Sequence, residues 1–321
     1  MLRLMGLILI AAAACLPAEA QGTRERIVIK QTFKGKAITI TGELFLPPGP
    51  PGSAKVPAMI VHHGSGGITD ARERRYAREL VKMGVAALVF NSFTGRGVTS
   101  TVRNQSAVST NDMLGDAVAA LKILAGHARI DGARVGIVGF SKGGSVALLA
   151  AHEVRAAPAL PAGLRFALHV PFYPACVTQH YKPKTTGAPI YLLLGGADTY
   201  VGVAPCRDYA AALKAEGARI ETIVFQGAMH GFDGGSAYQN PRGENYSRCI
   251  FVQQPDGSWR ERVSGAVTND ASGKLIEVGQ KEALAKCRTF GVRGGPNAAA
   301  KAKALIDLKA YVQRHLLEKQ P

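Results

Sequence analysis

The chain has 321 residues, with 39 Lys plus Arg against 23 Asp plus Glu and a formal net charge of +16. Hydrophobic residues make up 47% and charged residues 19%, which is apolar enough for a large core and too apolar for an intrinsically disordered chain. The positive excess suggests an anionic partner such as nucleic acid, a membrane surface or an acidic substrate, without choosing among them.

At the N-terminus, Met1-Leu2-Arg3 is a short basic start, residues 4–14 are an apolar run, and Ala18-Glu19-Ala20 is a small-x-small cleavage site. Together they predict a secretory signal peptide over 1–20, with 21–321 as the exported or periplasmic chain. The apolar run is shorter than the about 20 residues a membrane-spanning helix needs, so no stable membrane insertion is expected. Acylation of Cys15 as a lipoprotein signal is the alternative, although Ala12-Ala13-Ala14 lacks the Leu usual three residues before such a Cys. Once export is accepted, nucleic acid is no longer expected as a partner. Peripheral contact with an anionic surface stays open. Of five cysteines, Cys15 leaves with the signal. The remaining Cys176, Cys206, Cys249 and Cys287 form an even set able to make two disulfides, with three connectivities open.

Beyond the signal, segments 24–33 and 37–46 alternate apolar and polar residues like an antiparallel pair, and a Pro/Gly-rich turn follows at 47–52. Continuous apolar runs at 58–61, 85–90, 135–140, 166–170, 190–194 and 220–225 read as strands buried on both faces. Helical stretches lie between them at 70–83, 112–126, 142–154 and 206–215. This alternation predicts an α/β fold with a mostly parallel sheet. Residues 233–295 break the rhythm. They are rich in Gly, Asn and polar residues and carry a Pro255-Asp256-Gly257-Ser258 turn between Cys249-Ile250-Phe251-Val252 and Trp259, which predicts a β-hairpin insertion. A final amphipathic helix is expected over 297–317, so 21–321 reads as one α/β domain with an insertion.

Chemistry is most visible at Gly139-Phe140-Ser141-Lys142-Gly143. This G-x-S-x-G follows a buried strand and opens a helix, the context of a nucleophile elbow. Glycines flank Ser141 because a Cβ there would collide with neighbouring backbone in so tight a turn. A serine hydroxyl also needs a base held by a third group. Asp198, in Gly195-Gly196-Ala197-Asp198, ends one strand, and His230 follows the next, in the order nucleophile, acid, histidine. Asp233 is a second candidate acid but lies beyond His230. An oxyanion hole needs two N–H donors. The Lys142 N–H is one candidate. Ser65 N–H, with Gly64 as fallback, is the other, in Val61-His62-His63-Gly64-Ser65-Gly66-Gly67. Neighbouring strand residues such as His62 and His63 point to opposite faces, so no metal is expected. The Gly-rich run lacks the Gly-Lys-Ser/Thr of a P-loop, and no cofactor is expected either.

At these residues the chain resembles the α/β-hydrolase superfamily and, within it, the dienelactone hydrolase family. The resemblance rests on His63-Gly64-Ser65-Gly66-Gly67, Phe93-Thr94-Gly95-Arg96-Gly97, Gly139-Phe140-Ser141-Lys142-Gly143-Gly144, Phe172-Tyr173-Pro174, Gly195-Gly196-Ala197-Asp198 and His230-Gly231-Phe232. It covers about residues 24–232 and the final helix. It implies an α/β-hydrolase fold, Ser141, Asp198 and His230 as a triad, and Arg96 with Phe93 as substrate contacts. The family's Cys nucleophile is replaced here by Ser141. Its oxyanion-turn Glu is absent from Gly64-Ser65, and Gly231-Phe232-Asp233-Gly234 lacks the Arg that grips a substrate carboxylate.

Placement then favours one disulfide pairing. Cys249 and Cys287 share the insertion and would staple it, while Cys176 and Cys206 follow neighbouring strand ends near the Asp198 loop. The expected function is an exported serine hydrolase acting on a small-molecule ester or lactone. A serine peptidase of the prolyl-oligopeptidase type is a second reading, and a non-catalytic protein holding anionic glycan or membrane is a third. The oligomeric state is not legible.

Overall fold

The computed structural model describes residues 22–49, 52 and 54–318. The expected signal segment and Cys15 lie outside the described residues. Strands β1 (Thr23–Phe33) and β2 (Lys36–Leu46) pair antiparallel. Lys34 and Gly35 join them at φ 48° and 77°, the left-handed conformation that a two-residue hairpin turn requires.

The other central strands are β3 (Val56–His62), β4 (Ala86–Phe90), β5 (Ile130–Phe140), β6 (Leu168–Phe172), β8 (Ile190–Gly195) and β9 (Ile220–Phe225), while the two-residue β7 (Thr178–Gln179) lies outside their sheet. An eight-stranded sheet runs β1-β2-β4-β3-β5-β6-β8-β9. It is parallel from β4 to β9, with β2 antiparallel to β4. The helices are α1 (Arg75–Val81), α2 (Thr110–Ala125), α3 (Lys142–Leu149), α4 (Glu153–Ala156), α5 (Ala204–Ala215), α6 (Glu277–Cys287) and α7 (Ala298–Val312). This is the mostly parallel α/β sheet that the strand and helix patterns predict, in the α/β-hydrolase arrangement that the resemblance implies.

Both sheet faces are covered, which explains the unbroken apolar strands. On β3, Ala58 and Ile60 join a core with Met113, Ala117 and Leu121 of α2. Met59 and Val61 point the other way, into a core with Tyr76 and Leu80 of α1 and Leu308 of α7. Helix starts follow side-chain chemistry. Ser109 and Asp112 form a reciprocal capping box on α2, and Asn297 accepts the Ala300 N–H at 3.0 Å on α7. The helix expected over 142–154 is instead broken after Leu149. Here the β7–β8 connection takes over its backbone groups: Thr186 N–H donates to Ala151 O at 2.9 Å, and Glu153 N–H donates to Lys184 O at 3.1 Å.

The insertion holds more than a hairpin. Strands β11 (Phe251–Gln253) and β12 (Trp259–Glu261) pair around the Pro255–Ser258 turn as expected. In addition, β10 (Tyr238–Asn245) pairs with β14 (Thr289–Gly294), and β13 (Val267–Asn269) adds to β12. A parallel pairing of β11 with β7 stitches the insertion to the core. Helix α6 buries only Gly279, Ala283 and Cys287, so no apolar stripe announced it. Cys176–Cys206 and Cys249–Cys287 are the disulfides, each with Cα atoms 4.9 Å apart. Among the described residues, no helix is long and apolar enough to cross a membrane.

Cys249 and Cys287 are 38 residues apart. The Cys249→Ser/Cys287→Ser protein is expected to lose about 3–4 kcal/mol of stability from the loop-closure entropy, read as a lower urea midpoint. An unchanged midpoint would mean that the insertion is held by its packing alone.

Candidate active site

The strand order reverses at β3, with β4 on one side and β5 on the other, so the turns leaving β3 and β5 meet at the carboxyl edge, where open α/β sheets place their sites. The second of these turns is unusually tight. A Cβ built on Gly139 would lie 2.0 Å from Gly143 O, one on Gly143 2.4 Å from His62 O, and one on Gly144 2.4 Å from Phe172 O. Ser141 sits at its apex with φ 56° and ψ −115°, a conformation that non-glycine residues rarely hold. Its N–H is tied to Phe172 O at 3.0 Å.

From that apex, Ser141 Oγ lies 2.8 Å from His230 Nε2, and His230 Nδ1 lies 2.7 Å from Asp198 Oδ2. Asp198 follows β8 and His230 follows β9, so consecutive strand ends supply them. The second Asp198 oxygen accepts the N–H groups of Tyr200 at 2.8 Å and Val201 at 3.1 Å. Burial would push the Asp198 carboxyl up, but His230 and these two N–H donors together hold it below its usual range. An ionised carboxylate accepts only, so His230 carries its proton on Nδ1 and offers Nε2 to the serine hydroxyl. Tyr173 and Tyr200 flank the imidazole edge-on, with ring centroids 4.8 and 4.7 Å away.

The oxyanion candidates lie beside this chain. Lys142 opens α3, where the first N–H groups have no acceptor within the helix. Gly64 packs directly on the elbow, since a Cβ there would be 3.2 Å from Ser141 Cβ. Gly64 O accepts from Gly67 N–H at 3.1 Å and meets His63 Nδ1 at 2.8 Å. The Ser65 N–H, trans to that carbonyl, points the opposite way.

Gln105 carried no sequence signal, yet it is the node of the site. Its Oε1 accepts from Ser65 Oγ at 3.0 Å, its Nε2 donates to Tyr200 Oη at 3.0 Å, and its carbonyl accepts from Lys142 Nζ at 2.6 Å. Its N–H donates to Glu244 of the insertion at 2.8 Å. Burial lowers the Lys142 ammonium to about 8, against the opposing charges of Asp112 and Glu244. Two cavities meet at Ser141. One of about 190 Å3 is bounded by Thr110, Val177, Val201 and Tyr246. Another of about 370 Å3 is bounded by Arg72, His230, Tyr238 and Asn240. Ser65, Ser141 and Tyr200 belong to both, and the tyrosines at 238 and 246 come from the insertion.

A model of the dienelactone hydrolase family matches residues 41–247. The chain belongs to the dienelactone hydrolase family. It is 31% identical over 172 residues to a Methylorubrum extorquens protein described as a carboxymethylenebutenolidase, covering 48% of this chain and 56% of that one. It is 26% identical over 190 residues to a Bradyrhizobium protein described as a 2-oxo-3-(5-oxofuran-2-ylidene)propanoate lactonase, covering 56% and 75%. The match thus spans little more than half the length of the first of these relatives. Among solved structures, a thermophilic esterase from Thermogutta terrifontis superposes with a TM-score of 0.52 at 18% identity, over 68% of this chain and 85% of that one. A dienelactone hydrolase-like promiscuous phosphotriesterase from metagenomic libraries gives 0.52 at 14% identity, over 92% and 99%. At such identities the likeness is one of fold.

Within the family frame, two expected substrate contacts are corrected. Arg96 is not in a cavity wall. Its guanidinium is 2% exposed and grips Asp116 with two hydrogen bonds of 2.7 and 2.9 Å, a third going to Ser92 O at 2.6 Å. Phe93 is fully buried, edge-on to His63 at 4.5 Å. The sequence shows an exposed-looking loop here but cannot reveal that Asp116, on the buried side of α2, draws the arginine inward. Asp233 does not reach His230 Nδ1; it accepts from Tyr173 Oη, and burial pushes its carboxyl up. His62 and His63 are buried within the fold. Among the described residues no group of three or more His, Cys, Asp or Glu is placed to hold a metal.

Two outcomes follow. Arg96→Met strands the buried Asp116 carboxylate and is expected to cost about 3–5 kcal/mol of stability; a raised KM with unchanged stability would instead restore Arg96 as a substrate contact. Burial lowers His62 to about 4 and His63 to about 3, whereas an unfolded His titrates near 6.5. Below about 6.5 the unfolded chain therefore binds more protons than the folded one, and stability falls as pH drops toward 4. Urea midpoints that stay level across this window would contradict the buried, neutral assignment.

Proposed function

We propose that this chain is an exported serine hydrolase that cleaves a carboxylic ester or lactone through an acyl-enzyme. The observation that carries the reading is the hydrogen-bonded line from Ser141 Oγ through His230 to Asp198, at 2.8 and 2.7 Å, opening onto two cavities. Ser141 Oγ attacks the carbonyl carbon as His230 Nε2 takes the hydroxyl proton, and Asp198 holds the imidazole and offsets its new charge. The N–H groups of Lys142 and Ser65 receive the oxyanion. His230 then returns the proton to the departing alkoxide, which leaves as the alcohol. Water, deprotonated by His230, attacks the acyl-enzyme and frees the acid and Ser141. For a lactone both products remain one molecule, a hydroxy acid.

Family membership and the described relatives support ester or lactone chemistry. Export is supported by the basic, apolar and small-x-small pattern of residues 1–20 and by two disulfides, which persist in oxidising compartments.

A fluorophosphonate probe is expected to label the wild type and to spare Ser141→Ala; equal labelling of the two would remove Ser141 as nucleophile. Asp198→Asn, which leaves His230 in the wrong tautomer, is expected to lower kcat on nitrophenyl acetate by about 10⁴. A preference for peptide amides over nitrophenyl esters would turn the reading toward a peptidase.

A further inference from the structure

The smaller cavity beside Ser141 has a second space next to it. Thr110, Ser145, Ala175 and Val177 border it, and the same four residues border a further cleft of about 450 Å3. The two spaces therefore adjoin along these four residues. The cleft lies between the core helices and the insertion, which contributes Phe251, Trp259, Asn269 and Gln280. Its floor includes Ser145, Leu148 and Leu149 of α3. From Ser141 to Leu149 that helix rises about 12 Å, well beyond the reach of a small lactone held at the nucleophile.

The charge of the cleft is one-sided. None of the side chains lining it is acidic, and Arg155 of α4 is its one cation. Arg155 donates through Nη2 to Asn111 Oδ1. Burial lowers its pKa, and among the described residues no carboxylate forms an ion pair with it. The nearby His152 and His180 are uncharged, lowered to about 3 and about 4 by burial first, with the Arg155 charge acting in the same direction. A partly buried cation without a counter-charge bears a desolvation cost that an entering anion relieves. Trp259, edge-on to His180 at 4.9 Å and only partly buried, gives the same cleft an apolar wall for the body of a chain or ring.

We infer that this cleft is a second substrate subsite, which takes the distal part of an elongated ester and binds a carboxylate at its far end through Arg155. The ester rests on the hydrolase reading above; the subsite itself is a statement about binding.

Calorimetric titration of the protein with half-amides of dicarboxylic acids, from succinate to sebacate, each against its neutral diamide, tests it. The long half-amides are expected to bind at least about 10-fold more tightly than their diamides, and the succinate pair equally. Arg155→Gln is expected to bring the long pairs within about threefold. Arg155→Lys, which keeps the charge, is expected to retain part of the difference, separating lost charge from a disturbed fold. A charge preference absent at every length, or intact in Arg155→Gln, overturns the inference. Nitrophenyl half-esters of the same acids separate the two readings. Cleavage of nitrophenyl acetate with no length-dependent preference for the carboxylate leaves the hydrolase reading standing and removes the subsite. Binding that follows length and charge, with no ester cleaved, keeps the subsite and removes the hydrolase reading.

Discussion

At Gly143 there is room for a hydrogen and nothing larger: a Cβ would fall 2.4 Å from the His62 carbonyl oxygen and 2.6 Å from that of His63. This contact presses the start of α3 against the end of β3. Gly144 does the same against β6, and between them they hold Ser141 in a backbone conformation it would not choose alone. Once the apex is fixed there, the reversal of strand order brings Gly64 and Ser65 alongside. The following strands deliver Asp198 and His230 to the same edge.

The electrostatics are local rather than global. A net charge of +16 suggests a broad anionic partner, yet three buried cations are each engaged separately. Arg96 is neutralised by Asp116, Lys142 is tied to Gln105 and Thr101, and Arg72 leans on Glu73. Lys142 and Gln105 in particular couple the residue after Ser141 to Glu244 of the insertion, so the insertion is part of the pocket's framework and not an ornament on it.

Much of this was readable from the residues. Strand positions, the elbow and the acid and histidine loops follow from local patterns, because buried parallel strands are long apolar runs and tight turns need glycine, whereas the preferred cysteine pairing rests on where the expected fold places the four residues. What the sequence did not disclose depends on contacts between distant segments. Arg96 looks free until Asp116 is seen beneath it. Gln105 is one polar residue among many in an irregular loop, and α6 shows no apolar periodicity because it buries only small residues. The break after Leu149 depends on backbone partners some 35 residues later, at Lys184 and Thr186.

The parallel pairing of β7 with β11 joins Thr178 to Phe251 and Gln179 to Val252, residues far apart in the chain. A non-local pairing of this kind meets its loop-closure entropy before the contact gives anything back. The wall of the cleft thus rests on a chain closure about as long as the one that pairs β3 with β5 at the centre of the main sheet. Trp259, the single tryptophan of the chain, stands in that wall, so its intrinsic emission reports how the insertion is seated on the core and not the packing inside the central sheet.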